Sequence, residues 1–414
     1  MKTIVFIGTQ KSGSSREAIK SAERLGYYTV LFTDRITFLE KRKEFHDVHL
    51  MRLCNLNNIE ELKNSIRHLI SQGLQICAIV SFVDSYCTTA CKLADEFNVN
   101  RFSTEAINIM ENKLLSRQVL SKSPYSPKFT SLSKDDVLLK ELIHSYLPLV
   151  MKSPNSCGSK DVFKIDTYKR FKHQMKSLFR KYPDEKILIE EFLDGPQYLI
   201  ETVIFDNKVH IIAIIEQEIS FDKRFIITGY NLMLDPPTDF YNKLKKTIEL
   251  ILESHEMKSG TCHLEMRYVK DNWKLIEINP RISGAGMNKM LEIGLGINLV
   301  EETLKYILGL DYDIKSKYKI PCFAQYVVIS ESGLLKRVTG KNRAKKSPGV
   351  KSVYVKPRKG SLLIPPISMG NRYAYVIATG DSEEDAKQNA KQAASEINFS
   401  LLPTCFENHE NETY

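Results

Sequence analysis

TCHLEMRYVKDNWKLIEINPRISGAG, residues 261–286, reads as two short strands around a polar turn. Residues 262–269 and 273–278 are rich in apolar and β-favouring side chains. Lys270, Asp271 and Asn272 between them suit a three-residue loop, with Asn272 in the left-handed position. Pairing Val269 with Trp273 then sets Glu265 opposite Glu277 and His263 opposite Asn279. Directly opposed residues have Cβ atoms roughly 5 Å apart, and like charges there destabilise a sheet. Such a pair calls for a cation or a shared proton between the carboxylates. Asn279 adds a neutral oxygen on the same face, two residues beyond Glu277. Two carboxylates and an amide oxygen form a hard, all-oxygen set, suited to Mg²⁺ or Mn²⁺ rather than zinc. Pro280 ends the pairing, and Arg281 presents a planar fork for phosphate or carboxylate. Ser283-Gly284-Ala285-Gly286 lets a backbone approach a ligand closely. A register slip of one residue would separate the carboxylates and leave an ordinary hairpin with its charges in water. Spacing alone leaves both readings open.

The rest of the chain bounds what such a hairpin serves. Its 414 residues exceed one ordinary core, so two or three domains are expected. Hydrophobic content of 43% and charged content of 26% are those of a globular protein in water. No stretch of about 18 apolar residues and no signal peptide is evident, which predicts a cytoplasmic protein without a membrane partner. The eight cysteines are scattered, and no second Cys or His pair joins Cys87 and Cys91 in a zinc set. All eight read as reduced thiols. A net charge of +9 fits an anionic substrate and does not by itself indicate nucleic acid.

The N-terminus reads as a βαβ opening: a strand over 2–7, a loop from Gly8 to Gly13, a helix over 14–25 and a strand over 28–32. The glycines lack the dinucleotide spacing, which argues against a Rossmann oxidoreductase. Asp84 follows a strand over 75–82, as a substrate contact or as the cap of a helix over 87–97. A single helix is expected over 104–120, carrying Asn112, Lys113 and Arg117. Lys152 ends a buried strand over 147–153, beside a flexible loop, 155–160, that includes Gly158 and Ser159. A lysine so placed suits phosphate oxygens, to which loop amides add hydrogen bonds. Residues 186–193 form a strand ending in Glu190-Glu191-Phe192-Leu193, with Gln197 just past the turn. Segment 218–237 lacks periodicity and reads as a substrate-facing loop. Residues 336–360 carry ten Lys/Arg and no acid. Tyr354 is the one aromatic there, so a solvated basic hairpin is expected rather than a nucleic-acid platform.

An acidic residue on one strand, then E-I-N-P-R on the next with glycines behind it, resembles the metal site of the ATP-grasp carboxylate–amine ligases. By that resemblance Glu265, Glu277 and Asn279 hold Mg²⁺ between the phosphates of ATP, and Arg281 is the catalytic cation that steadies an acyl phosphate. The resemblance extends to Lys113 and Lys152 as phosphate ligands and to a flap that includes Ser159, though this flap has one glycine where relatives often have more. It also implies a hinge, Glu190, Glu191, Phe192 and Leu193, whose backbone reads adenine. Gln197 stands where an acidic residue often holds the ribose. Asp84, Ser283 and Gly284 fall on the substrate side. The implied fold is α/β (α+β): a Rossmann-like domain over 1–108, a two-lobed ATP-grasp domain over 109–310, and a small C-terminal α+β region over 311–402. Residues 403–414 read as a disordered tail. Within the family the sequence is most similar to bacterial L-amino acid ligases, which form peptide bonds from small-molecule carboxylates and amines. A carrier protein as acceptor, a nucleotide-binding regulator and a homodimer stay open at this point.

Overall fold

The computed structural model describes residues 1–136, 140–154, 158–221 and 225–403. Cys157, Cys405 and nearly all of the expected tail fall outside them. The chain divides into two compact units, one built from 1–155, 163–216 and 233–319, the other from 156–162, 217–232 and 320–414.

The first unit opens with a parallel four-stranded sheet in the order Leu50–Leu53, Tyr28–Thr33, Lys2–Ile7, Gln75–Val80. Its strands are near-continuous apolar runs because helices cover both faces of such a sheet. Val5, Ile7, Val30 and Phe32 pack with Leu62, Ile66 and Leu69 of helix Ile59–Ser71. Ligands of open parallel sheets sit at the carboxyl ends of the strands. Here those ends carry the Gly8–Gly13 loop and Asp84.

Residues 104–120 are two helices rather than one, Thr104–Glu111 and Lys113–Val119. Asn112 takes an extended conformation between them, and its side-chain oxygen accepts the N–H groups of Leu114 and Leu115. An Asn makes a good N-cap and a poor helix interior, and here the cap prevails. A second sheet runs Phe129–Leu132, Ile187–Glu191, Leu149–Lys152, Val162–Ile165. It is closed underneath by Phe171, Met175 and Leu178 of helix Tyr168–Lys181.

The third sheet of this unit places strands Asn272–Asn279, Gly260–Val269, Gln197–Phe205 and Lys208–Phe221 side by side. Alternation sorts its faces. Ile200, Leu264, Met266, Leu275 and Ile278 form one core with Leu244, Ile248, Ile251 and Leu252 of helix Thr238–Ser254. Each such buried side chain contributes about 1.5–3 kcal/mol relative to exposure. The other face carries Glu201, His263, Glu265, Glu277 and Asn279.

Most of 218–237 is sheet, not loop: strand Lys208–Phe221 runs into it and strand Phe225–Met233 follows. Ile226, Ile227, Tyr230 and Leu232 are buried there. Their spacing is too irregular to read as strict alternation.

In the second unit, strands Phe225–Met233, Cys322–Val327, Ala374–Thr379 and Val350–Val355 pair antiparallel in that order. Helix Glu383–Ser395 packs Ala386, Ala390 and Ala393 against this sheet. Ser382 and Asp385 complete a reciprocal cap at its start. The basic stretch 336–360 is a strand, a short helix Lys341–Lys346 and another strand rather than a hairpin. Its lysines lie exposed along all three.

Among the described residues the six cysteines are free, and no helix is long and apolar enough to cross a membrane. Burial pushes the Cys87 and Cys91 thiols upward, so neither is a poised thiolate.

Candidate functional site

The candidate metal-binding hairpin reaches the expected pairing by a different route. Val269 pairs with Asn272, so the turn is two residues long, with Lys270 (φ 46°) and Asp271 (φ 60°) both left-handed. Two such residues match the twist of a tight hairpin. An unbroken register from that turn would put Glu265 opposite Ile276. The register shifts between Glu265 and Met266, Ile276 becomes the extra residue of a β-bulge, and Glu265 faces Glu277 with His263 facing Asn279.

The bulge turns the Ile276 carbonyl towards two buried cations. Arg117 donates to it through Nη2, and Lys152 Nζ lies 3.4 Å away. Both also grip one carboxylate: Arg117 Nε is 2.5 Å from Glu190 Oε1 and Lys152 Nζ 2.7 Å from Glu190 Oε2. Glu190, expected among the ATP contacts, is spent on this pairing, and all three side chains are almost wholly buried. Burial acts to raise the Glu190 carboxyl, but the charges of Arg117 and Lys152 outweigh it and hold it below the ordinary range. Burial lowers Lys152, with Glu190 opposing. One turn before Arg117, Lys113 Nζ lies 3.1 Å from Glu277 Oε1.

At the hinge, Glu191 pairs with Leu149, accepts the Lys128 N–H at 2.9 Å and donates its own N–H to Lys128. Phe192 donates its N–H to Pro148 at 3.0 Å, and Lys164 stands 4.4 Å over its ring. Arg267 organises the rest. It donates to the Leu193 carbonyl and to Gln197 Oε1 at 3.2 Å, and its guanidinium lies 5.2 Å over Phe192. The Gln197 oxygen expected to meet ribose therefore serves Arg267. Sequence reasoning passed over Arg267, whose signal is a cation three residues before the turn on a strand facing Gln197.

Arg281 and Asp84, 197 positions apart, meet in a bidentate ion pair through Nε and Nη2. Burial would raise the Asp84 carboxyl, yet Arg281 keeps it below its usual range. Arg281 Nη1 reaches the Ile282 carbonyl at 3.0 Å. Asp84 is not the cap of helix Cys87–Glu96; Glu111 accepts the Cys87 and Thr88 N–H groups at 3.0 and 3.1 Å instead.

Ser283 and Gly284 lie in a loop clamped from two sides. Glu201 accepts the Ser283 N–H at 3.0 Å and the Ser283 hydroxyl as well, and Ser14 donates its hydroxyl to the Ser283 carbonyl. Gly13 (φ 83°, ψ −165°) lies so close that a Cβ there would come within 2.8 Å of the Ala285 nitrogen. That conformation belongs almost to glycine alone. Gly13→Ala is expected to cost about 1–3 kcal/mol in a denaturant titration, by backbone strain plus collision; an unchanged midpoint would refute the close packing.

Glu201, missed in the sequence, is a lone acid in the apolar run 198–205. Burial pushes its carboxyl up to about 8 from an ordinary 4.5. An acid whose folded pKa is raised is protonated more readily folded than unfolded. Its contribution is complete below 4.5 and is lost as pH rises through 8. Stability should therefore fall across that window on its account, and Glu201→Gln should flatten the slope in unfolding measured from pH 4.5 to 8. An identical slope would count against it.

Ser159 belongs to the second unit, with φ 58°, next to Gly158, whose carbonyl accepts the Met369 N–H at 3.0 Å. The rest of its loop, 155–157, lies outside the described residues.

The donor set of the hairpin suits a hard divalent cation. Two carboxylates face each other with an amide oxygen on the same strand face, and among the described residues no cluster of three His, Cys, Asp or Glu offers a softer alternative.

Comparison with known proteins bears on the whole arrangement. Residues 145–289 match the ATP-grasp domain, and residues 325–401 match the L-amino acid ligase C-terminal domain 2. Residues 145–289 therefore form an ATP-grasp domain. Its fold follows that of an L-amino acid ligase from Bacillus licheniformis, with a TM-score of 0.82 at 19% identity over 97% of this chain and 99% of the other. An uncharacterised protein of Sinorhizobium fredii is 23% identical over 83% of this chain and 72% of its own length. An ATP-grasp enzyme of Aspergillus fumigatus is also 23% identical, over 67% of this chain and 55% of that protein. The ATP-grasp match covers Lys152, residues 190–193 and the hairpin of Glu265 and Glu277; Lys113 and Asp84 lie before it.

Proposed function

We propose that the chain is an ATP- and Mg²⁺-dependent carboxylate–amine ligase that forms an amide bond through an acyl phosphate, with an amino acid among its substrates. The observation that carries this reading is the opposed pair Glu265–Glu277 beside Asn279, with Lys113, Lys152 and Arg281 gathered around the same hairpin. It is supported by the ATP-grasp and L-amino acid ligase domain matches.

A carboxylate oxygen of the acid attacks the γ-phosphorus of ATP, the bond to the bridging oxygen breaks, and ADP leaves. The amine nitrogen then attacks the acyl carbon, and phosphate leaves with the oxygen the carboxylate supplied. No side-chain nucleophile is required; the chain's part is positioning and charge neutralisation. Lys113 and Lys152 lie on the phosphate side. Glu265, Glu277 and Asn279 would hold Mg²⁺ (or Mn²⁺), which neutralises charge between phosphates. Arg281, its fork already fixed by Asp84 and the Ile282 carbonyl, is oriented before the acyl phosphate forms. The Ser283–Gly284 backbone, held by Glu201 and Ser14, borders the acyl site.

Phosphate release from ATP and Mg²⁺ across amino acids, singly and in pairs, tests the reading. Release that depends on a particular pair, with the matching dipeptide found by mass spectrometry, is expected. Tight ATP binding without release for any pair would overturn a free-amine acceptor. A second reading, an acidic carrier protein as acceptor, is favoured by the exposed cations of 336–360. Release that appears only when such a carrier is added would select it.

A further inference from the structure

Four groups form a closed ring in the first unit. The Glu190 carboxylate bridges Arg117 and Lys152, and both cations converge on the carbonyl of Ile276. The ring joins four separate elements: helix Lys113–Val119, the two adjacent strands that bear Lys152 and Glu190, and the bulge of the hairpin. Arg117 is 2% exposed, Lys152 3% and Glu190 4%. Buried charges are costly without partners, so each cation depends on the shared carboxylate and the carbonyl. Lys152 meets both acceptors through its one nitrogen, and the guanidinium meets them through two.

We propose that Arg117 is a positioning residue for nucleotide binding. It fixes Glu190, which aims Lys152, and it pins the bulged Ile276 carbonyl, which sets the phase of the adjacent Glu277. The inference rests on the ligase reading above. Arg117 need not touch ATP. Its fork meets two acceptors from two nitrogens, an arrangement that a lysine, with a single nitrogen, does not reproduce. With Arg117→Lys the charge stays but the rigid two-nitrogen fork is lost, so Glu190 and the bulge carbonyl are no longer held at a fixed spacing. Lys152 and Glu277 then lose their fixed separation.

The test is steady-state kinetics of Arg117→Lys at saturating amino acids, alongside ATP binding followed by nucleotide-induced thermal shift. KM for ATP is expected to rise about tenfold or more while KM for the amino acids stays within about twofold. A residue that only supports the fold would lower the melting temperature and leave that ratio unchanged. Glu190→Gln serves as a second variant should Arg117→Lys fold poorly, because it keeps the shape and removes the bridging charge; the same selective rise is expected. Wild-type KM for ATP in either folded variant, or an equal rise for ATP and the amino acids, overturns the positioning role. Absence of ATP binding in the unaltered protein overturns the ligase reading instead, and this inference with it.

Discussion

Arg281→Met is expected to lower kcat by between about two and three orders of magnitude while ATP still binds. The guanidinium is held at all three nitrogens, by both oxygens of Asp84 and by the Ile282 carbonyl. It is therefore aimed before any substrate arrives and needs no reorganisation when charge develops on an acyl phosphate. Losing one such preorganised donor costs other enzymes about that much. Methionine fills similar space without charge, so packing is kept. Asp84 would then sit beside an apolar side chain, and the part of its acidity that Arg281 maintains should be lost. Rapid-quench measurement of ADP formation separates chemistry from binding. A variant that binds ATP normally and turns over at the unaltered rate would remove Arg281 from the mechanism.

The second large effect is expected at Glu277. Glu277→Gln keeps the size and strand propensity of the side chain but removes one of two facing carboxylates. The cation requirement should move to higher Mg²⁺ by about tenfold or more, and kcat should fall by about two orders of magnitude even at saturating metal. Lys113, 3.1 Å from Glu277, also loses its carboxylate, so KM for ATP should rise as well. Titrating Mg²⁺ and Mn²⁺ at fixed ATP checks this; an unchanged metal dependence would show that the pair faces water for no catalytic purpose.

Much of the candidate site's geometry was legible because its logic is local. Glu265, Glu277 and Asn279 sit within one hairpin, and strand alternation places them together. Even so, the turn was read one residue too long. The pairing came out as expected because the bulge at Ile276 makes up the difference, and a bulge leaves no mark in an apolar run such as Leu275-Ile276. Lys152 was legible as a lone charge at the end of a buried strand. What sequence could not show are bonds across the fold. Glu190 read as part of a hinge, and nothing local showed that its side chain pairs with Arg117, from a helix 73 positions earlier. Asp84 and Arg281 could be named separately but not joined. Glu201 drew no attention, because a single acid in a long strand is ordinary until its opposite neighbours are known. The break at Asn112 was hidden because the helical pattern around it outweighed a local cap signal, and the strands within 218–237 because their burial is too irregular to show as alternation.

The most direct measurement follows the oxygen atoms. The acid substrate, carrying heavy oxygen in its carboxylate, is turned over with ATP, Mg²⁺ and the amine partner identified by the phosphate-release panel, and the released phosphate is examined by mass spectrometry. The proposed chemistry moves one labelled oxygen into phosphate for each amide formed. Label found in AMP, or absent from phosphate while amide accumulates, would contradict an acyl-phosphate mechanism and with it the roles given to Arg281 and the Glu265–Glu277 pair.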